Sequence, residues 1–220
     1  MTSDLQTTLK INEIYASLQG ESTFAGQTCV FIRLTGCPLR CSWCDTTYAF
    51  QEGTELSLEN ILCTVRDYGI PLIEITGGEP LAQKNVYFLM QALLQQHYQV
   101  LLETSGALSL SQVPSEIIKI MDIKCPQSQE AHRNHLDNLH LLIPHQDQIK
   151  FVIQDETDYA YAQEQIKRYQ LDERFTLLLS PVHELLPPQH LAEWMIRDHA
   201  PGKLQIQLHK YLWPHEIRRR

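Results

Sequence analysis

The sequence predicts an α/β fold, a partial (β/α) barrel built around a mainly parallel sheet. Three observations support this prediction: apolar β-rich runs recur along the chain, helix-like stretches separate several of them, and polar motifs directly follow four of the runs. Continuous apolar runs are typical of parallel strands, which are covered on both faces. A chain of 220 residues also fits one core, so we expect a single domain over 1–220.

Seven apolar runs are predicted to be strands, and three stretches are predicted to be helices that cover the sheet. The strands are expected over residues 28–34, 72–76, 100–103, 118–123, 149–153, 175–179 and 204–208. The helices are expected over 86–96, 157–169 and 188–197, the last of which opens with a proline suited to a first helical turn. The region 122–148 is rich in His, Asn and Gln and is expected to be mostly loop.

Polar motifs follow the first four predicted strands, and they begin at Cys37, Gly77, Thr104 and Lys124. The carboxyl ends of parallel strands meet at one edge of a sheet, where α/β proteins bind their ligands. We therefore expect the four motifs to contribute to one site.

The charge balance excludes some classes of function. The chain carries 18 Lys and Arg against 26 Asp and Glu, a formal net charge of −8. Proteins that grip a phosphate backbone usually have a basic excess, so no nucleic-acid partner is expected. No run is long and apolar enough to cross a bilayer, and the first residues lack the basic and apolar parts of a secretory signal. We expect a cytoplasmic protein with no membrane partner.

Three of the six cysteines lie within eight residues, with the spacing C-x3-C-x2-C at Cys37, Cys41 and Cys44. In a reducing compartment such crowding indicates metal binding rather than disulfide bonds. Thiolates are the usual protein ligands of iron–sulfur clusters, and one short loop can wrap a cluster corner. Three ligands for four irons would leave one iron open to a small molecule, which predicts a redox enzyme.

Two other interpretations of the cysteine triplet remain open at this point. A structural zinc site needs a fourth ligand, and Cys29, Cys63, Cys125 or a histidine could supply it, although no second C-x2-C pair exists. The thiols could also be free and buried. Cys29 lies in an apolar strand pattern and Cys63 in a helix pattern, so we expect both of them in the core.

The segment Thr76-Gly77-Gly78-Glu79-Pro80 ends the second predicted strand. Paired glycines let the backbone approach a ligand closely, and a carboxylate accepts hydrogen bonds from an ammonium group. Alone, this segment indicates only a turn. Following the cysteine pattern by about one βα unit, it resembles the paired signature of the radical S-adenosylmethionine (SAM) enzymes.

That resemblance implies a radical SAM fold and a set of cofactor contacts. In the superfamily the three cysteines ligate a [4Fe–4S] cluster, and SAM chelates the open iron and is split by one-electron reduction into a 5′-deoxyadenosyl radical. The cluster ligands implied here are Cys37, Cys41 and Cys44. The implied SAM contacts are Gly78, Glu79, Asp122, Ile123, Lys124, Ser180, Pro181, Val182 and His183.

Within the superfamily the chain resembles the 7-carboxy-7-deazaguanine synthases nearly end to end. The resemblance implies conversion of 6-carboxy-5,6,7,8-tetrahydropterin to 7-carboxy-7-deazaguanine with loss of ammonia, in the biosynthesis of queuosine and other 7-deazapurines. It also implies a homodimer and an electron donor such as flavodoxin. The matching segments are 18–21, 31–33, 44–46, 76–80, 103–106, 122–126 and 209–212.

The same resemblance implies roles for further residues. Thr46, directly after the cysteine loop, would be a ligand of Mg²⁺, which prefers oxygen donors; without the resemblance it would be a turn residue. An arginine such as Arg33 suits a planar carboxylate, although a wet strand face would leave it solvated. Catalytic contacts would come from Glu21 and Glu103, the latter otherwise an ordinary rim carboxylate. Substrate contacts would come from Leu18, Gln19, Gly20, Arg33, Thr76, His209 and Pro214.

Two competing functions share part of this pattern. A glycyl-radical-enzyme activase would have the cysteine spacing, the glycine motif and the segment Asp122-Ile123-Lys124, but it acts on a partner protein. A zinc-stabilised binding module would have the thiols without catalysis. The loop 18–21, Thr46 and the segment 209–212 favour an enzyme that acts on a small pterin.

Overall fold

The computed structural model describes residues 7–216 and 218–219, and its nine strands form one sheet. The strands are β1 (Thr8–Leu18), β2 (Thr28–Leu34), β3 (Thr54–Ser57), β4 (Leu72–Gly77), β5 (Gln99–Thr104), β6 (Ile118–Asp122), β7 (Gln148–Ile153), β8 (Thr176–Pro181) and β9 (Lys203–Leu204). The helices are α1 (Leu58–Tyr68), α2 (Val86–Gln95), α3 (Glu156–Tyr169), α4 (Pro188–Arg197) and α5 (Leu208–Leu212). Short 3₁₀ segments lie at Thr47–Phe50, Pro80–Ala82, Pro126–Ser128, Ala131–Arg133 and Leu136–His140.

The sheet is mainly parallel and open. Its order is β3-β1-β2-β4-β5-β6-β7-β8-β9, and every neighbouring pair from β2 onward is parallel. The pairs β1–β2 and β1–β3 are antiparallel. Each parallel strand is added on the same side of the previous one, which is how a partial (β/α) barrel grows. The predicted fold class is therefore confirmed.

Most apolar side chains lie between the sheet and its helices. This large cluster joins alternate residues of the central strands, such as Ile73 and Ile75, to the inward faces of α1 to α4. A second, smaller apolar cluster occupies the opposite face, which we call the inner face. Its members are Tyr15, Cys29, Phe31, Leu72, Leu101, Ile120 and Leu178. The inner face is left without covering helices, and polar residues enter the strands there.

Predicted and observed elements agree best where the strands are parallel. Between Asp122, which ends β6, and Gln148, which begins β7, the chain forms only short 3₁₀ segments, as expected for a loop. The expected strand over 204–208 is wrong in most of its length. After two residues pair with β8, Gln205 donates its N–H to Leu179, and Leu208 then donates its own to Gly20 to begin α5. Residues 205–208 therefore cross the end of the sheet and do not continue along its edge as a strand.

The sequence predicted no bounds for four elements, β1, β3, α1 and α5, although it placed Cys63, now found in α1, in a helix pattern. The alternating pattern of β1 is broken by Glu13, which is buried on the side where apolar residues are expected. The Ser57 hydroxyl caps α1 by accepting from the N–H of Asn60 at 3.2 Å, and Gly69 ends it in the left-handed conformation. Cys29 is buried as expected, but Cys63 is exposed on α1, so its expected place in the core is wrong.

No helix within the described residues is long and apolar enough to cross a membrane.

A buried ion pair holds β6 to the start of β7. Lys119 and Asp147 have side chains 2% and 0% exposed, and their charged atoms are 3.1 Å apart. Asp147 also accepts from the backbone N–H groups of Lys119 at 2.8 Å and Ile143 at 2.7 Å. Removing one partner of such a pair leaves an uncompensated buried charge.

We expect Asp147→Ala to lower the free energy of unfolding by about 3–5 kcal/mol, because Lys119 loses its counter-charge and two backbone donors lose their acceptor. Urea unfolding measures this loss. Glu116→Ala, which removes a fully exposed carboxylate, is the control and should leave the unfolding midpoint in place. An Asp147→Ala midpoint equal to that of the unchanged protein would contradict the prediction.

Candidate active site

A cavity of about 420 Å³ opens at the carboxyl ends of the parallel strands. The loop after β2 forms one wall, and the segment 207–210, which includes the start of α5, forms another. Side chains on the inner faces of β2, β4, β5 and β7 form its floor. The four predicted motifs do contribute to this one site, as the geometry of parallel strands requires.

The cysteine loop brings its three thiols to one part of the cavity. Cys37, Cys41 and Cys44 all line it. The loop is held from outside by Ser42, whose N–H donates to the Ser128 carbonyl at 3.1 Å and whose hydroxyl donates to Gln127 at 2.6 Å. Within the described residues, no three His, Cys, Asp or Glu side chains converge on a single metal ion. A [4Fe–4S] cluster does not require such convergence, because each thiolate ligates a different iron.

Burial raises the pKa of each of these three thiols, that of Cys41 to about 11. Without a metal, therefore, they are protonated at neutral pH. Metal binding requires the thiolate form, so cluster insertion must release protons, and a higher pH favours it.

The glycine motif is packed directly against the cysteine loop. The N–H groups of Gly78 and Glu79 donate to the carbonyls of Leu34 at 3.1 Å and Gly36 at 2.8 Å. A Cβ added to Gly78 would lie 2.9 Å from the Cβ of Cys37 and closer still to the Gly36 carbonyl oxygen. Only glycine fits here without displacing the loop.

Glu79 does not line the cavity, although the sequence placed it beside the cofactor. Its carboxylate is fully buried behind the glycines. It accepts from the Ser105 N–H at 2.8 Å, from the Ser105 and Thr104 hydroxyls, and from the Leu81 N–H at 3.0 Å. In this structure Glu79 clamps the end of β4 to the end of β5.

Two buried polar atoms in the cavity wall have no hydrogen-bond partner among the described residues: Asp122 Oδ1 and Trp43 Nε1. The other oxygen of Asp122 pairs with Lys124 Nζ at 2.7 Å. Buried polar groups are normally satisfied, so an unpaired acceptor and donor indicate a ligand that brings the complementary groups. The hydroxyls and ammonium group of an amino-acid nucleoside such as SAM offer that complement.

Arg33 is largely shielded from solvent, with its side chain 13% exposed. Its guanidinium donates to Glu13 at 2.9 Å and to the Tyr15 hydroxyl at 3.0 Å. Both partners come from β1, the antiparallel strand that the sequence did not predict. Arg33 thus reaches the cavity in a fixed orientation, with guanidinium N–H groups left to bind an anion.

A lysine on β7 holds two carboxylates together on the cavity floor. Lys150 Nζ lies 2.8 Å from Glu21 and also pairs with Glu103, which accepts from the Thr76 hydroxyl at 3.4 Å. Burial lowers the pKa of Lys150, but the carboxylates of Glu103 and Glu21 outweigh it and raise the value overall. Burial likewise raises the pKa of Glu103, yet Lys150 reverses this, and its pKa is lowered. Both groups are charged at neutral pH.

Glu74 is the opposite case. Its side chain is on the inner face of β4, and burial, followed by repulsion from Glu103 and Glu21, raises its pKa well above the ordinary value. It accepts a hydrogen bond from the side-chain amide of Gln19. The site therefore contains an ionised carboxylate and a carboxyl group with a raised pKa on neighbouring strands.

The segment 207–210 joins the loop 19–21 and the cysteine loop. Its contacts with the loop 19–21 are the hydrogen bond from Gln207 Nε2 to Glu21 at 2.8 Å and a packing contact of His209 with Gly20 so close that no Cβ would fit at residue 20. Lys210 Nζ lies 3.2 Å from Asp45, which in turn accepts from the Thr46 hydroxyl at 2.8 Å. Burial lowers the pKa of His209, which is neutral at neutral pH.

The structure gathers most of the predicted residues around this cavity. Besides the cysteines, those that line it are Gln19, Gly20, Glu21, Arg33, Thr46, Thr76, Gly78, Glu103, Asp122, Lys124, Ser180, Pro181, Val182, His183 and His209. Four predicted residues do not line the cavity: Glu79, described above, and Leu18, Ile123 and Pro214. Leu18 pairs with Thr28 in the sheet, Ile123 points into the main core, and Pro214 is exposed in a turn beyond α5.

Sequence reasoning missed Tyr15, Glu74, Lys150, Gln207 and Lys210, all of which line the cavity. Two of them carried a usable signal. Glu74 lies between Ile73 and Ile75, and Lys150 between Ile149 and Phe151, so each is a charged residue inside a buried apolar run. A charge in such a position must face a partner or a ligand.

Comparisons with known proteins agree with this geometry. A family model described as the radical SAM superfamily matches residues 31–122. Two relatives named 7-carboxy-7-deazaguanine synthase, from Koribacter versatilis and Chlorobaculum tepidum, are each 41% identical to this chain over 96% of its length, and the alignments cover 99% and 96% of those proteins.

Two solved structures share the fold. QueE from Escherichia coli superposes with a TM-score of 0.77 at 23% identity, covering 92% of this chain and 95% of QueE. SuiB from Streptococcus suis, solved with S-adenosylmethionine bound, superposes with a TM-score of 0.53 at 13% identity, covering 82% of this chain and 51% of SuiB.

The contact between the glycine motif and the cysteine loop predicts the effect of a single methyl group. Gly78→Ala should abolish retention of iron after anaerobic reconstitution, because the new Cβ displaces Gly36 and Cys37. Bound iron and the visible absorbance of the cluster are the measurements. Gly69→Ala is the control: it bears a backbone cost at its φ of 64°, but it has open space around it at the end of α1 and should retain iron. Equal iron content in the two variants would show that the contact is unimportant.

Glu74 predicts a pH dependence of stability. The folded state binds its proton more tightly than the unfolded chain, whose carboxyl titrates near 4.5. The resulting stabilisation is complete below that pH and is lost as the pH rises toward the raised folded pKa. Because Gln does not titrate, the free energy of unfolding of Glu74→Gln, minus that of the unchanged protein, should increase from about pH 5 to about pH 7.

Urea unfolding at the two pH values tests this expectation. Glu116→Gln, which alters a fully exposed carboxylate, is the control: the pKa of Glu116 is lowered by its hydrogen bonds, so the group is ionised at both pH values and the corresponding difference should stay the same. Identical pH slopes for Glu74→Gln and the unchanged protein would contradict the assignment.

Proposed function

The chain belongs to the 7-carboxy-7-deazaguanine synthase family of radical SAM enzymes, and from this premise we propose that it converts 6-carboxy-5,6,7,8-tetrahydropterin to 7-carboxy-7-deazaguanine with release of ammonia. One observation supports this substrate most strongly. Beside the three thiols, the cavity presents a guanidinium held in place by Glu13 and the carboxyl groups of Glu21, Glu74 and Glu103. A carboxylate-bearing, amine-rich heterocycle offers the complement to both.

The cavity wall formed by the loop after β2 would hold the cluster and SAM. Cys37, Cys41 and Cys44 would ligate the cluster, and the unpaired oxygen of Asp122 would accept a hydrogen bond from SAM. Lys124 keeps that carboxylate in place. When bound, these groups would supply the one-electron radical chemistry that starts the reaction at the pterin.

The chain's own residues orient the substrate. Arg33 binds the substrate carboxylate, since a guanidinium matches a planar anion and Glu13 prevents it from rotating away. Glu103 accepts hydrogen bonds from the N–H groups of the pterin ring. Lys150 keeps Glu103 ionised, which makes it a stronger acceptor. His209, neutral and packed on Gly20, closes the opposite side and excludes water.

Mg²⁺ is assigned to the oxygen groups beside the cysteine loop. Thr46 and Asp45 present a hydroxyl and a carboxylate at the cavity wall, which is the donor chemistry that Mg²⁺ prefers. Burial raises the pKa of Asp45, but Lys210 and the Thr46 hydroxyl outweigh it and lower the value to about 2, so the carboxylate is ionised. An electron donor such as flavodoxin and assembly as a homodimer complete the proposal.

The decisive experiment is anaerobic reconstitution with iron and sulfide, followed by incubation with the carboxypterin, SAM, a reductant and Mg²⁺. We expect 7-carboxy-7-deazaguanine and ammonia by mass spectrometry and ammonia assay. Cys41→Ala should lose the visible cluster absorbance and the product. Cys63→Ala, which removes an exposed thiol on α1, is the matched control and should keep both.

The outcomes separate the competing functions. A loaded enzyme that cleaves SAM but forms no deazaguanine would disprove the substrate while leaving the radical chemistry intact. A colourless protein with one zinc ion per chain would favour the binding module.

A further inference from the structure

Glu74 is a buried carboxyl group that has no part in the proposed chemistry. Its neighbours in the sheet register are Phe31 on β2 and Leu101 on β5. Both belong to the inner apolar cluster, together with Tyr15, whose ring stacks on that of Phe31 at 5.1 Å. The carboxyl group therefore rises from an apolar floor, yet it lines the cavity.

The cations on the cavity floor are bound to other carboxylates. Lys150 is shared by Glu21 and Glu103, and Arg33 is held by Glu13. Ionising Glu74 as well would add a negative charge to a buried group that already contains two carboxylates and one lysine. Burial and the repulsion of Glu103 and Glu21 both oppose that charge.

The hydrogen bond to Gln19 decides which oxygen of Glu74 is available. Gln19 Oε1 accepts from the Glu21 N–H at 2.8 Å, so its amide nitrogen must face Glu74. The backbone N–H and C=O of Gln19 are bonded to Gln27 and Gly26 at 2.8 Å each, which prevents the residue from turning. Oε2 of Glu74 is thus committed as an acceptor, and the proton of a neutral carboxyl lies on the other oxygen.

We propose that Glu74 determines substrate specificity as a neutral carboxylic acid that donates a hydrogen bond to the ring carbonyl of the bound pterin. Glu74 and Glu103 are diagonal neighbours on the same face of adjacent strands. The edge of a pterin has a carbonyl acceptor beside N–H donors. A neutral acid next to a carboxylate matches that edge, whereas two carboxylates would repel its carbonyl. The inference rests on the proposed function, since it assumes a pterin in the cavity.

Two substitutions distinguish a neutral donor from an anion. Glu74→Gln keeps a donor for the carbonyl and an acceptor for Gln19, so the KM for the carboxypterin should stay within about threefold of the unchanged value. Glu74→Leu removes the donor, so KM should rise about tenfold to a hundredfold while kcat changes less. If Glu74→Gln is as impaired as Glu74→Leu, the group acts as an anion; if neither changes KM, it does not bind substrate. Either result overturns the proposal.

Infrared spectroscopy of the cluster-loaded enzyme tests the protonation state independently of turnover. At neutral pH the C=O stretch of a protonated carboxyl group should be present, should disappear in Glu74→Gln, and should remain in Glu116→Gln, which alters a fully exposed carboxylate. A spectrum of Glu74→Gln that matches the unchanged enzyme in this region would disprove a neutral Glu74, even if Glu74→Leu fails to fold.

Binding of 6-carboxypterin, followed by its fluorescence, separates this inference from the reaction. An enzyme that binds the compound with the expected dependence on residue 74 but forms no deazaguanine would retain the role of Glu74 and lose the proposed function. If the unchanged enzyme forms product but Glu74→Leu binds 6-carboxypterin equally well, the proposed function is retained and the role of Glu74 is disproved. An unchanged enzyme that binds no 6-carboxypterin would contradict both.

Discussion

The site depends on the contact between the ends of β2 and β4. Leu34 and Gly77 are register partners, and a Cβ on Gly77 would lie 2.8 Å from the Leu34 nitrogen. The N–H groups of the two residues after Gly77 donate to the carbonyls of Leu34 and Gly36, in the segment that ends and follows β2. The Gly36 N–H donates in turn to the Ala49 carbonyl at 2.8 Å. These contacts fix the direction in which the loop after β2 leaves the sheet. That direction places the three thiols above the carboxyl ends of the strands, where the other polar side chains of the cavity lie.

The inner face solves an electrostatic problem that parallel strands create. Such strands are usually apolar on both faces, yet here β2, β4, β5 and β7 each carry a polar residue at the same end. Burying one charge alone is costly, so the positive residues Arg33 and Lys150 lie on strands that flank the acidic ones. Each cation contacts a carboxylate that also faces the cavity or supports it. The same pairing that stabilises the floor keeps its hydrogen-bonding groups in fixed directions for a ligand.

The parallel part of this fold was predictable because each strand is an apolar run with a local signature, and the cysteine and glycine motifs have spacings that specify their chemistry. β1 was harder to predict, because Glu13 breaks its alternation of apolar and polar residues. The position of Glu13 is explained only by its ion pair with Arg33 on another strand. The end of the expected strand over 204–208 fails for a similar reason. Its alternating pattern is real, but Leu208 bonds to Gly20, a partner far away in the sequence. The raised pKa of Glu74 results first from burial and then from repulsion by Glu103 and Glu21, which no local pattern connects to it.

The loop after β1 and the segment 207–210 meet at the cavity, although they are far apart in the sequence. Gly20 follows the first strand, and His209 lies on the last helix, yet they are packed so closely that no side chain fits between them. Gln207 and Lys210 extend this contact to Glu21 and Asp45. The wall at residues 207–210 therefore depends on the assembled sheet, because the sheet brings residues 20 and 209 together. The cysteine loop, by contrast, is positioned by β2 and β4, which are separated by about 40 residues. The position of the cysteine loop is thus set by contacts between neighbouring strands, whereas the wall at residues 207–210 depends on contacts between residues far apart in the sequence.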